Sequence, residues 1–170
     1  MAARTGRAAG VIVMAMTLAP AGCGGDGETS GGGAREESTA AAVEAARAYQ
    51  QASVEQDWKA ACEARTERLR RSWGANTVAE CIEITGTPRL HDRSDARVST
   101  GDVVDVEKFG PYPAGIGLRV TVDGGGGVIV HTALRLVPGE RGTWLVDQAV
   151  NLPETEPTGP EAVRTALQRK

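Results

Sequence analysis

The chain has 170 residues, a formal net charge of −3 and few aromatic side chains, which fits one domain with short additional segments. Charged residues of both signs are dispersed along it, so the composition argues against a nucleic-acid-binding surface and against a polybasic face for membranes. The histidines and cysteines do not have the spacing of a metal site. We therefore expect neither a metal nor another cofactor.

The first 22 residues have the pattern of an export signal. Arg4 and Arg7 provide a positively charged start, and apolar or small side chains follow over residues 8–19. A membrane-spanning helix needs about 20 apolar residues, whereas the apolar region of a secretory signal takes about 7–15. The sequence therefore favours a signal peptide over residues 1–22. A short membrane anchor that is never cut is the alternative.

Cys23 ends this segment, directly after the small residues Ala21 and Gly22. The stretch 18–23 resembles the lipobox of bacterial lipoproteins, with Pro20 at the position that usually holds leucine or another aliphatic residue. The resemblance implies cleavage between Gly22 and Cys23, a diacylglycerol group on the Cys23 sulfur, and acylation of the freed amine. It also implies a lipid-anchored protein at the extracytoplasmic face of the cell membrane.

Residues 23–37 predict a flexible tether that carries the lipidated Cys23. Glycine is abundant from Gly24 to Gly33, and no large apolar side chain is present there to be buried. A phosphate-binding loop is a more specific functional interpretation of this segment, but it requires a preceding strand and a closing Lys-Ser or Lys-Thr pair. Neither is found, so we interpret the segment as a spacer.

Cys62 and Cys81 are the two cysteines left after Cys23. In an exported protein, such a pair most simply forms a disulfide, because the compartment permits oxidation. Closing a loop of about 20 residues would stabilise the fold by roughly 3 kcal/mol through chain entropy. A reactive-thiol or metal role is the alternative, although His91 and His131 share no ligand spacing with these cysteines.

Helical patterns fill the first half of the predicted domain. From Ser38, which can cap a helix, small residues and Tyr49 recur at helical spacing. Asp57 can cap a second helix that continues through residue 69. Thr77 with Glu80 forms a capping-box pattern at the start of a third helix, which contains Cys81. A disulfide would then join the second helix to the third.

Beyond residue 85 the apolar period changes to two, which predicts about four strands. Val104 and Val106, then residues 118–122, 128–137 and 144–150, carry this alternation, and glycine-rich turns separate the last three stretches. Short turns between neighbouring strands imply an antiparallel sheet. The order predicts an α+β fold in which N-terminal helices pack on one face of an antiparallel sheet.

This arrangement is similar to the NTF2-like domains (SnoaL-like, cystatin-like α+β cones) found among actinobacterial lipoproteins. The residues that carry the resemblance are Ala48-Tyr49, the stretch 57–62, Cys81 and residues 144–146. It implies a sheet that curls around a helix and leaves a cavity, with the domain over residues 38–152. A proline-rich linker and a short helix would then occupy residues 153–170.

Some members of that superfamily are isomerases or dehydratases, and many are non-catalytic binding modules, so the fold alone does not decide the function. A cavity enzyme would need a general base, for which His131 with Asp147 is the candidate pair. His131 alternates with Val130, which predicts the solvent side of the sheet. His91 lies in a charged stretch that predicts a loop. We assign no catalytic residue.

Other side chains allow a structural and a functional interpretation. The three tryptophans are expected in or near the core, but each could line a ligand cavity: Trp58, Trp73 and Trp144. The charged run 63–71 predicts a solvated helix face with an attraction between Glu67 and Arg71. Contact with anionic lipid headgroups is the alternative for three residues of that run: Arg68, Arg70 and Arg71.

The preferred hypothesis is a non-catalytic lipoprotein that binds a small apolar ligand or a protein partner at the cell envelope. It depends on Cys23, the tether and the lack of a catalytic constellation. The first alternative is a cavity enzyme of the isomerase or dehydratase type that uses His131 and Asp147. The second is an accessory subunit of a membrane complex. Nucleic acid is not an expected partner.

Overall fold

A computed structural model describes residues 30–86, 95–155 and 158–169. Within these ranges the fold is α+β. The helices are α1 (Ser30–Glu55), α2 (Trp58–Glu63), α3 (Glu67–Ser72), α4 (Val78–Thr85) and α5 (Pro160–Leu167). The strands are β1 (Arg97–Val106), β2 (Gly115–Asp123), β3 (Ile129–Pro138) and β4 (Trp144–Leu152). Among the described helices, none is both long enough and apolar enough to cross a membrane.

The four strands form one sheet in the order β1-β2-β3-β4, and every neighbouring pair is antiparallel. The antiparallel sheet predicted from the period of two is therefore confirmed. The turn between β2 and β3 needs glycine, because Gly125, Gly126 and Gly127 all have positive φ angles. The register shifts once in β1 and once between β3 and β4, at Arg135 and Leu136. Such irregularities bend a strand locally.

Helix α1 packs on one face of the sheet through the residues that its helical spacing predicted. Tyr49 is buried, and the other buried positions of this face are alanines: Ala42, Ala46 and Ala52. Small side chains let the helix lie close to the sheet, where the larger aliphatic side chains are on the strands. The sheet side of this core includes Leu118, Val120, Leu134, Leu136 and Val146.

Helix α1 begins at Ser30, inside the segment predicted to be a tether through residue 37. That boundary is wrong, and Ser38 lies within the helix rather than at its cap. The physical reason is that the stretch 34–37 contains alanine, arginine and glutamate, which favour helix and extend it toward the N-terminus. Arg35 also forms an ion pair with Asp105 of β1.

The single second helix predicted from Asp57 is two helices. Asp57 caps α2 as expected, since its Oδ1 accepts a hydrogen bond from the Ala60 N–H at 3.0 Å. The chain then leaves helical geometry at residues 64–66 and pairs with β4 instead. The Thr66 N–H donates to the Val146 carbonyl at 2.9 Å, and the Val146 N–H donates to the Ala64 carbonyl at 2.8 Å. This segment covers part of the open edge of β4.

Thr77 caps the start of helix α4, as the capping pattern predicts. The Thr77 Oγ1 accepts a hydrogen bond from the Glu80 N–H at 3.1 Å, while the Glu80 carboxylate accepts from the Asn76 N–H at 2.7 Å. A disulfide joins Cys62 of α2 to Cys81 of α4, with an S–S distance of 2.04 Å. Both cysteines are buried, so the bridge fixes two short helices to each other.

Helix α5 covers the face of the sheet opposite α1. Its buried residues Val163, Ala166 and Leu167 pack against side chains of β1, β3 and β4. A Cβ atom at Gly117 would lie 2.9 Å from the Leu167 side chain, so a larger residue there would require that side chain to shift. The sequence predicted helices on one face only and a domain that ends at Leu152. Instead, the described structure has helices on both faces, and α5 belongs to the folded unit.

Arg135 is completely buried beneath α5. Its guanidinium donates hydrogen bonds to four oxygens, those of Glu107 O (2.8 Å), Pro113 O (2.7 Å), Leu167 O (3.2 Å) and Gln148 Oε1 (3.2 Å). These acceptors lie after β1, before β2, at the end of α5 and on β4. Burial lowers the pKa of Arg135, and the Asp147 carboxylate opposes that effect. Arg135 therefore holds three separate parts of the chain to the sheet.

Candidate functional site

A pocket of about 420 Å³ lies between the C-terminal half of α1, the short helices and the strands β3 and β4. Its lining residues are Tyr49, Gln50, Ser53, Trp58, Arg65, Trp73, Thr85, Val130, Thr132, Ala149 and Asn151. The volume falls within the range of about 300–1,000 Å³ that is usual for small-molecule sites. We refer to this cavity as the Arg65 pocket.

Arg65 is the most unusual residue of the pocket wall, because its charged side chain is only 3% exposed. The guanidinium carbon lies 4.0 Å from the ring centroid of Trp73 and 5.5 Å from that of Tyr49. The Nη1 atom donates to the Sγ of Cys81 at 3.3 Å. Two aromatic rings and the disulfide therefore fix the position of the cation.

The described residues form no ion pair with Arg65, and its buried Nε has no hydrogen-bond partner among them. A buried charge normally needs a counter-charge or a full set of hydrogen bonds. The cation–π contacts compensate part of the desolvation. The result is a positive charge in the wall of a pocket whose described lining has no carboxylate.

Neutral polar groups make up much of the remaining wall: Gln50, Ser53, Thr85, Thr132 and Asn151. Two of them are already engaged as donors. The Ser53 hydroxyl donates to the Tyr49 carbonyl at 3.0 Å, and the Thr85 hydroxyl donates to the Cys81 carbonyl at 2.6 Å. Together with Trp58 and the rings beside Arg65, the pocket offers one cation, flat apolar surfaces and hydrogen-bonding groups.

The position of Arg65 follows from the break between α2 and α3. Because residues 64–66 pair with β4, the Arg65 side chain does not continue the solvated face predicted for residues 63–71. That prediction is wrong for Arg68 and Arg70 as well, which are both half-buried. It is confirmed at the exposed pair Glu67 and Arg71, where Arg71 Nη1 lies 3.1 Å from Glu67 Oε1.

Asp147 lies outside the Arg65 pocket and is fully engaged. Its Oδ2 pairs with Arg68 Nη2 at 2.7 Å, and its Oδ1 accepts from the Thr66 hydroxyl at 2.8 Å. The Arg68 guanidinium also stacks on the Tyr112 ring at 4.0 Å. These contacts fix the start of α3 to β4. Arg70 likewise donates to the Arg65 carbonyl at 2.6 Å, so two of the arginines considered for lipid headgroups are used within the domain.

His131 lies on the face covered by α5, with its Nδ1 2.8 Å from the Thr121 hydroxyl. It is half-buried rather than on a bare solvent face, because α5 and residues near it cover part of the sheet. Burial lowers the pKa of His131 and the Arg119 charge lowers it further, while Glu154 opposes both. His131 and Asp147 line different pockets, so the catalytic pair considered from the sequence is not formed.

The remaining predicted residues divide between the pocket and regions outside it. Gly22, Cys23 and His91 lie outside the described residues. Trp58 and Trp73 line the Arg65 pocket, and Trp73 is 44% exposed rather than part of the core. The third tryptophan, Trp144, lies at the other end of α1. Within the described ranges, no group of three or more histidine, cysteine, aspartate or glutamate residues is placed to hold a metal ion.

Sequence reasoning did not identify Arg65 as a functional residue. The available signal was Thr66, which caps α3 by accepting the Leu69 N–H at 3.1 Å and so marks a new helix start just after Arg65. Comparisons with protein families, with curated proteins and with solved structures found no match for this chain.

Proposed function

We propose that this protein is a lipoprotein, anchored through Cys23 at the extracytoplasmic face of the cell membrane, whose α+β domain binds a small ligand without catalysis. The Arg65 pocket carries the proposal. It is a concave site of ordinary ligand-binding size whose wall contains a fixed cation, three aromatic side chains and five neutral polar side chains. Such a site supplies both apolar contact and orientation for a small molecule.

The lining of the pocket supports binding rather than reaction. Acid–base catalysis needs a group that can gain or lose a proton near neutral pH, close to the substrate. None of the described lining residues is a histidine, aspartate, glutamate, lysine or free cysteine. The two candidates for such chemistry, His131 and Asp147, contact other parts of the domain. The pocket therefore favours binding of a ligand without its chemical conversion.

The direction of α1 supports a membrane anchor that leaves the pocket accessible. Ser30 starts the helix seven residues after Cys23, and Tyr49 lines the pocket near its other end. At about 1.5 Å per residue, the rise between these two positions is about 29 Å. Residues 34–41 of α1 lie beside the β3–β4 turn instead. The residue of α1 nearest to Cys23 and the pocket therefore lie at opposite ends of that helix.

The NTF2-like resemblance is part of the same proposal. In that superfamily, a curved antiparallel sheet packs around a helix and encloses a cavity. Here α1 packs on an antiparallel sheet, and the Arg65 pocket lies between that helix and the strands β3 and β4. The helix α5 on the second face is an addition to the predicted arrangement. These features support an NTF2-like binding domain.

A protein partner is the second form of this proposal, and exposed apolar side chains near the pocket favour it. Trp73 is 44% exposed and Ile84 is 47% exposed. Ile84 lies near the residue that follows Trp73, since a Cβ atom at Gly74 would be 4.0 Å from the Ile84 side chain. Aromatic residues of this kind commonly anchor protein interfaces. Loss of partner capture on Ile84→Ser, with small-molecule binding retained, would distinguish this form.

Lipid anchoring is tested with the Cys23→Ser variant in cells fed labelled palmitate. We expect the variant to lose the label and to leave the membrane fraction or keep its signal peptide. A Cys62→Ser/Cys81→Ser double variant is the matched control, because it removes two thiols and keeps Cys23, and it should retain the label. Unchanged labelling of Cys23→Ser would refute lipidation at this residue.

Ligand binding is tested on the mature chain, residues 23–170, with Cys23→Ser to prevent lipidation. The probes are a matched pair, cinnamate and cinnamyl alcohol, which share a flat apolar body and differ in charge. We expect at least one probe to bind and to shift the indole N–H signals of Trp58 and Trp73 in NMR spectra, leaving that of Trp144 in place. Binding of neither probe, or shifts confined to Trp144, would contradict the proposal.

A further inference from the structure

We infer that the Arg65 pocket takes a small organic monoanion, a carboxylate on a flat apolar body, with the Arg65 guanidinium as its counter-charge. This inference rests on the proposed ligand-binding function and specifies the chemical class of the ligand. It also changes the expectation from the sequence, which was a small apolar ligand or a protein partner. Three observations carry it: the unmatched charge, the aromatic walls and the fixed geometry of the cation.

The charge of the described pocket wall points to a single negative charge on the ligand. Arg65 is the only charged residue among the described lining residues, and they include no aspartate or glutamate. A carboxylate would supply the missing counter-charge and accept from guanidinium N–H groups, in a charge-assisted hydrogen bond. A phosphate monoester carries about −1.5 to −2 near pH 7, which one arginine neutralises incompletely.

The aromatic side chains define the body of the ligand. Tyr49, Trp58 and Trp73 contribute aromatic side chains to the wall, and Val130 and Ala149 add aliphatic surface. Flat apolar groups pack against such rings with more contact than branched or strongly hydrated ones. A small hydrophilic anion would leave these surfaces without a partner. The wall therefore favours a carboxylate attached to an aromatic or conjugated body.

The cation is held in place before any ligand binds. The Trp73 ring lies under the guanidinium at 4.0 Å, and Nη1 donates to the sulfur of Cys81 at 3.3 Å. The disulfide in turn joins Cys81, which accepts this hydrogen bond, to Cys62 of α2. A side chain that is already ordered loses little conformational freedom on binding, so its interaction with the ligand is not offset by that entropic cost.

Isothermal titration calorimetry on the mature Cys23→Ser chain compares cinnamate with cinnamyl alcohol. We expect cinnamate to bind at least about tenfold more tightly, which corresponds to about 1.4 kcal/mol. Arg65→Met should remove that preference, and Arg65→Lys should retain part of it. Arg71→Met is the matched control, because Arg71 is exposed and does not line the pocket, and it should behave as the parent chain.

The outcomes separate this inference from the proposed function. Equal affinity for both probes would overturn the anion assignment and leave ligand binding intact. Binding of neither probe would overturn both. If inorganic phosphate displaced cinnamate at concentrations similar to those at which cinnamate binds, the assignment of the ligand as a carboxylate with an apolar body would also be overturned. The two-probe comparison on the parent chain decides the question even where Arg65→Met fails to fold.

Discussion

Arg135→Met is expected to destabilise the domain more than any exposed arginine substitution. Methionine fills much of the same space but donates no hydrogen bond. It would leave three main-chain acceptors without their buried donor: the carbonyls of Glu107, Pro113 and Leu167. An unsatisfied buried polar group costs about 1–3 kcal/mol, while removing the buried charge returns part of its desolvation. We therefore expect a loss of about 3–5 kcal/mol in the free energy of unfolding.

Urea unfolding followed by circular dichroism measures this loss. Thermal unfolding provides a second measurement. For a domain near 150 residues, each kcal/mol lost from the free energy of unfolding lowers Tm by about 2–4 °C, so the variant should melt about 6–20 °C lower. Arg97→Met is the matched control, because Arg97 is exposed on β1, and it should change stability by less than about 0.5 kcal/mol. A loss below about 1 kcal/mol for Arg135→Met would refute the structural role assigned to its four hydrogen bonds.

Three further predictions concern pH, the disulfide and processing. The pKa of His131 is lowered in the fold, so the unfolded chain binds more protons, and the free energy of unfolding falls as the pH drops below about 6.5. The variant His131→Gln should therefore reduce the difference between the urea midpoints measured at about pH 7.5 and about pH 5. An unchanged difference would contradict this role of His131. Cys62→Ser/Cys81→Ser should cost about 3 kcal/mol in urea unfolding and weaken cinnamate binding, and equal stability would count against a structural bridge. Pro20→Leu should speed lipidation at Cys23 in a pulse-chase with labelled palmitate, and unchanged kinetics would show that Pro20 is no obstacle.

The sequence predicted those parts of the fold that depend on local patterns. The caps at Asp57 and Thr77 each need only a side chain and an N–H three residues later. The buried face of α1 around Tyr49 follows from helical spacing, and the strands follow from alternation. In each case the residues that interact are close in the sequence, or share one period, so no distant contact has to be known in advance.

The parts that the sequence did not predict depend on distant contacts. Arg65 turns inward because residues 64–66 pair with Val146, which lies about 80 residues further along the chain. Local charge patterning gave the opposite expectation for this stretch. The role of α5 was also missed. A short helix is marginally stable alone and is stabilised here by packing on the second face of the sheet, a contact that the local sequence does not show. The pocket was missed for the first of these reasons, since one of its walls contains Arg65.

The two buried arginines, Arg65 and Arg135, differ in whether their guanidinium N–H groups have oxygen acceptors, and this difference indicates different roles. Arg135 has four oxygen acceptors, and nothing about it requires a ligand. Arg65 is nearly as buried, yet its described partners are two rings and a sulfur. Arg70 also has an unpartnered Nε, but it donates to two carbonyls and does not line the pocket. Buried donors in native proteins are rarely left unmatched without a purpose. The contrast assigns Arg135 to stability and Arg65 to the recognition of an anion.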